Sequence, residues 1–161
     1  MRPWLKAGLI GGAAIALLML LSLVTGFLPM EVQSVISCCT CGLYFVLFPG
    51  IGVLAAFWLT PPLTAGLGAK EGALAGIVAG VISGIIYFIS ILLSDFSGGM
   101  EAALEQLPQE TIEALEMSGG MNMFTPEAMT LIAAGLIPII ILWAVAFGAL
   151  GGLVYAAVKK E

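Results

Sequence analysis

Residues 72–93 read GALAGIVAGVISGIIYFISILL, a run without one Asp, Glu, Lys, Arg or His. Crossing the roughly 30 Å hydrocarbon core of a bilayer takes about 20 helical residues, and this stretch is long enough. A transmembrane strand would be about ten residues of alternating polarity, whereas this run is longer and apolar on every side. It predicts a membrane-spanning α-helix and sets the scale for reading the rest of the chain.

Three more stretches meet the same test, at residues 5–28, 43–60 and 128–158, and apart from Lys6 at the very start of the first they contain no Asp, Glu, Lys, Arg or His. The composition agrees. Of 161 residues, 61% are hydrophobic and only 9% charged, with a mean hydropathy of +1.15. A soluble domain carries roughly 25% charged residues to hydrate its surface. The expected fold is therefore all-α, a polytopic four-transmembrane-helix bundle forming one integral membrane domain over residues 1–161. The first span reads as an uncleaved anchor, because it exceeds the usual signal-peptide core and no small-x-small site follows it.

Orientation follows from charge. Arg2 precedes the first span and Lys6 sits at its opening, Lys70 separates the second from the third, and Lys159 and Lys160 follow the fourth. All five basic residues fall on one side, which the positive-inside rule makes cytoplasmic. Glu31, Asp95, Glu101, Glu105, Glu110, Glu113, Glu116 and Glu127 fall on the other, leaving only Glu71 and Glu161 inside. Trp4, Trp58 and Tyr155 reach the inner interface, where amphipathic rings prefer to sit. The expectation is a cell (inner) membrane protein with both termini in the cytoplasm and the lipid bilayer as its first partner.

The connections carry their own signals. Pro61-Pro62 stops the second helix, since proline lacks an amide donor. In the short outer loop from Pro29 to Cys41, Val32, Val35 and Ile36 suggest a second helix that begins early and projects above the lipid. Pro49, followed by Gly50 and Gly52, predicts a kink or a loosened turn. In the acidic outer loop 94–127, Met100 to Ser118 reads as an amphipathic helix or two short ones broken at Pro108. Leu104, Leu107, Ile112 and Leu115 share its apolar face; that face suits either a cap on the bundle or a docking surface. Thr125-Pro126-Glu127 supplies a cap, a first-turn proline and an acid at the positive dipole end. Pro138 is the expected bend of the long fourth helix.

The most specific local pattern is a glycine ladder, Gly68, Gly72, Gly76, Gly80 and Gly84. A spacing of four aligns these residues in one stripe. A stripe without side chains lets another backbone approach closely, and in lipid such contacts replace the missing hydrophobic drive. Ala144, Gly148, Gly152 and Ala156 form a matching stripe in the fourth span, and Gly8, Gly12 and Ala16 one in the first. All three favour the cytoplasmic half, so the helices are expected to pinch together there. The spacing leaves open whether the stripes pack within one chain or between copies.

Cys38, Cys39 and Cys41 cluster at the outer end of the second span. Cys38 and Cys41 form a CxxC, a spacing suited to thiol–disulfide exchange. Three cysteines and no histidine fall short of the four ligands a structural zinc site needs, so no metal or other cofactor is expected. The alternative is inert thiols packed as small apolar groups.

The four spans, the CxxC at the outer start of the second and the long loop before the fourth resemble the quinone-linked disulfide-generating membrane oxidases. That resemblance implies a thiol–disulfide oxidoreductase with Cys38 and Cys41 as its redox pair. The family's second cysteine pair has no counterpart in residues 95–127, and its arginine after the CxxC is replaced by Gly42-Leu43-Tyr44-Phe45-Val46. The chain is also similar to a loose set of small prokaryotic four-helix membrane proteins that share a cysteine doublet opening the second helix, here Cys38-Cys39. They also share a glycine-rich third helix with an opening like Ala69-Lys70-Glu71-Gly72-Ala73. This second resemblance brings no activity with it.

Other chemistry is sparse. Coupled transporters place ionisable groups inside the membrane, and beyond Lys6 at the edge of the first stretch these four contain no Asp, Glu, Lys, Arg or His. The polar groups left are hydroxyls such as Ser22, Thr25, Ser83, Ser90 and Thr130, plus the thiols, and Ser and Thr on such helices mostly bond to their own backbone or a neighbouring helix. The leading expectation is a non-catalytic membrane protein, an accessory, scaffold or self-associating subunit built on glycine packing, and not an enzyme. The alternatives are a small pore or facilitator, using backbone freed at Pro49-Gly50 and Pro138, and the thiol oxidoreductase.

Overall fold

A computed structural model describes residues 2–25, 30–59, 63–96, 108–120 and 125–159. Within them the chain forms α1 (Pro3–Thr25), α2 (Met30–Phe57), α3 (Ala65–Phe96), α4 (Gln109–Met117) and α5 (Pro126–Val158). Four of these, α1, α2, α3 and α5, are long and apolar enough to cross a membrane. Among the described residues there is no strand.

Two helices begin earlier than hydropathy indicates. α2 starts at Met30, and α3 at Ala65, so that Lys70 and Glu71 sit within its first turns. Pro49 and Pro138 lie inside α2 and α5, and both helices continue through them. Pro61-Pro62 and residues 97–107, including Leu104 and Leu107, are outside the described residues. α4 follows Pro108, and none of its residues is buried.

Two helix starts, those of α3 and α5, carry a side-chain cap, whereas the start of α4 at Pro108 has none. The Thr64 hydroxyl accepts from the Leu67 amide at 3.3 Å, and the Thr125 hydroxyl from the Ala128 amide at 3.3 Å, with Pro126 next in line. Thr125→Ala is expected to cost about 1 kcal/mol, expressed as faster hydrogen exchange in the first turn of α5 and little change elsewhere.

The four long helices alternate in direction. Gly8 faces Val78 and Gly12 faces Ile82, so α1 and α3 run parallel. Phe45 meets Phe147 and Phe57 meets Tyr155, so α2 and α5 run parallel as well. Between α3 and α5 the partners run in opposite senses, from Gly68 with Ala156 to Gly84 with Ile137. The largest interface joins α3 to α5; α2 and α3 form the central pair, with α1 and α5 on opposite sides. Arg2, Lys6, Lys70 and Lys159 consequently gather at one end of the bundle.

Side-chain size is sorted in reverse of a soluble core. Among the described residues, and glycines aside, the fully buried positions are Ala7, Ala55, Ala56, Ala75, Ala79, Ala133, Ala144, Ala156, Ile15 and Ser83. Large apolar residues point outward instead, among them Leu17 (68% exposed), Val46 (71%), Leu131 (74%) and Leu142 (67%). Small residues inside and large ones outside are the arrangement helices take when lipid supplies the surroundings and close backbone approach supplies the cohesion.

Candidate functional site: a glycine waist below an aromatic cleft

At the waist, three backbones converge on Gly148 of α5. A methyl group on Gly72 of α3 would overlap the Gly148 carbonyl, and one on Gly52 of α2 would overlap the same carbonyl. Gly68 meets the Gly152 carbonyl, Gly76 the Ala144 carbonyl, and Gly151 the Pro49 carbonyl in the same manner. The two stripes identified from spacing thus face each other inside a single chain. The structure also brings in Gly52 and Gly151, whose neighbourhood in the sequence reads as a kink signal. Gly11, opposite Ile51, and Gly8, opposite Val78 and the Ala75 carbonyl, seat α1 on the same waist.

The approach loosens away from the basic end. A Cβ on Gly80 would stand 3.0 Å from the Ala144 Cβ, and one on Gly84 3.0 Å from Ile137 Cγ2, so side chains have replaced carbonyls as the nearest atoms. At this level the helices leave a cleft of about 240 Å³, lined by Met19, Tyr44, Phe45, Phe48, Ser83, Ile139, Ile140, Trp143 and Phe147.

The cleft wall is an aromatic cluster on α2 and α5. Trp143 and Phe147 stack at 5.2 Å between ring centres and 21° between planes. Phe45 meets Trp143 edge-on at 6.4 Å and Phe147 edge-on at 5.8 Å. Tyr44 and Phe48 stack at 6.4 Å along α2. Offset and edge-on geometries match the ring quadrupoles, so the cluster fixes α2 against α5 where glycine contacts no longer do. Residues nearly a hundred positions apart give no pairing signal in one sequence, and these contacts were not foreseen.

Ser83 is the one buried polar side chain among the described residues, and its hydroxyl donates to the Ala79 carbonyl at 2.7 Å within its own helix. Ser22, Thr40 and Ser90 donate likewise to Leu18, Ile36 and Ile86. None of these four hydroxyls bridges two helices through those bonds. Ser83→Ala should therefore shift stability by less than about 0.6 kcal/mol, the average for a polar contact between membrane helices, when measured by unfolding in mixed micelles.

Cys38 and Cys39 are free and exposed; the Cys41 side chain lies outside the described residues, although its backbone is helical. Among the described residues no three of His, Cys, Asp and Glu come together as a metal site would require. At the basic end, the Glu71 Oε2 is shielded and lacks a hydrogen-bond partner, while Lys159 reaches the Tyr155 hydroxyl at 3.1 Å.

The site that emerges is a rigid, backbone-to-backbone waist carrying an apolar cleft, with no assembled acid, base or nucleophile set among the described residues. The chain matches no protein-family model, no curated protein and no solved structure.

Proposed function

We propose that the chain is a non-catalytic integral membrane component, an accessory or scaffold subunit that crosses the bilayer four times with its basic end in the cytoplasm. The observation that carries this reading is the convergence of α2, α3 and α5 on Gly148. It makes a stiff body out of backbone contacts and spends the small-residue stripes internally. A partner would then be met by the large apolar side chains on the outside. The inverted sorting of small and large residues supports insertion, and the gathering of Arg2, Lys6, Lys70 and Lys159 at one end supports the orientation.

The hydroxyls that bond to their own helices favour a structural role over a chemical one. Native mass spectrometry of the protein extracted from its own membrane in mild detergent tests the proposal. The expected result is a fixed stoichiometry with a second copy or another membrane chain. A strict monomer that carries no other chain would overturn it.

A further inference from the structure

The basic end of the bundle holds a second concavity. A groove of about 540 Å³ lies between α1 and the residue following α2, lined by Pro3, Lys6, Leu9, Ile10 and Trp58. Leu9 and Ile10 stand three and four positions after Lys6, so they occupy the same face about one turn, or about 5 Å, deeper along the helix. The groove is thus cationic at its mouth and apolar below, with an indole on its far wall.

Lys6 and Lys159, both exposed at this end, differ in their surroundings. The Lys159 ammonium donates to the Tyr155 hydroxyl at 3.1 Å and lies 5.7 Å from the centre of the Phe57 ring and 5.5 Å from that of Tyr155. Its charge is already engaged. The Lys6 ammonium has no acceptor among the described residues. An unpaired cation above an apolar strip, with an amphipathic ring alongside, complements a molecule that is anionic at one end and hydrocarbon at the other.

We propose that this groove binds a phospholipid with an anionic headgroup, its phosphate at the Lys6 Nζ and an acyl chain laid along Leu9 and Ile10. Basic pockets between helices on the cytoplasmic side hold such headgroups, and indole rings favour the headgroup level. The inference rests on the proposed insertion with the basic end inside.

Native mass spectrometry from micelles doped equally with phosphatidylglycerol and phosphatidylcholine of matched chains tests it. The intact protein should retain phosphatidylglycerol in preference. Lys6→Gln should reduce that preference about fivefold, the equivalent of about 1 kcal/mol for one basic residue near an anionic surface. Lys6→Arg should keep the preference, and so should Lys159→Gln, because its ammonium is engaged elsewhere. Trp58→Ala should weaken retention of both lipids. Equal retention of the two lipids by the wild type would overturn the proposal, and so would a Lys6→Gln protein, shown helical by circular dichroism, that keeps its preference. Glycerol phosphate, which has no acyl chain, should not displace the lipid; displacement would mark a plain anion site and equally overturn it. Failure of membrane insertion itself is seen separately, as protein recovered without detergent before any lipid is added.

Discussion

Gly148→Val is expected to cost about 3 kcal/mol, the upper end of what overpacking a core exacts, and to be among the most damaging single substitutions in the bundle. A side chain at this position meets the Gly72 carbonyl at 2.5 Å and the Gly76 Cα at 3.3 Å. Both obstacles are backbone, so no rotamer change relieves the overlap and α3 must move away from α5. That movement loosens contacts along the whole interface, because dispersion falls steeply with separation and few large side chains are there to fill the gap. Equilibrium unfolding in mixed micelles measures the loss. Gly135→Ala is the matched control, since nothing lies near that glycine; it should be neutral or stabilising by up to about 1 kcal/mol.

Trp143→Ala should be the next most damaging, at about 1–3 kcal/mol, from two ring pairs each contributing about 0.5–1.5 kcal/mol. The lost partners are Phe147 at 5.2 Å and Phe45 at 6.4 Å. The indole is half-exposed on the bundle's outside, and in lipid its burial brings little hydrophobic gain. The cost should therefore follow ring geometry rather than buried area. Trp143→Phe keeps a ring at this position and should retain most of the stability, whereas Trp143→Leu, similar in apolar character, should not. Equal behaviour of the phenylalanine and leucine variants in the same unfolding assay would show that ring contacts at this position, including the edge-on one with Phe45, do not fix α2 against α5.

The waist ranks above the cleft because backbone atoms cannot repack and aromatic side chains can. That ordering also explains what was legible in the residues. The four long helices show plainly, because bilayer thickness imposes a length that few soluble sequences meet. The early start of α2 was only hinted at: Met30 to Cys41 contains neither Gly nor Pro, so nothing stops the helix, yet its mixed polarity hides it from a hydropathy reading. The stripes on α3 and α5 were visible from spacing alone, but not the partner each would face.

Gly52 and Gly151 were hidden for a different reason. Beside Pro49, a glycine looks like part of a break in the helix, and only the third dimension places Gly52 against the Gly148 carbonyl and Gly151 against that of Pro49. The aromatic cluster shares this limit, since Phe45 and Trp143 carry no local mark of their pairing. Lys159 was assigned to the inner side by charge, but its seat on Phe57 and Tyr155 depends on α2 and α5 ending at the same level.

The account depends most on insertion with the basic end inside, and cysteine accessibility measures it directly. With Cys38, Cys39 and Cys41 replaced by serine, single cysteines are introduced as Ser118→Cys and Lys70→Cys, both at exposed positions. In sealed spheroplasts, a membrane-impermeant maleimide should label the first at once and the second only after permeabilisation. Labelling of the Lys70→Cys protein in sealed spheroplasts, or recovery of either protein in the soluble fraction, would contradict the account.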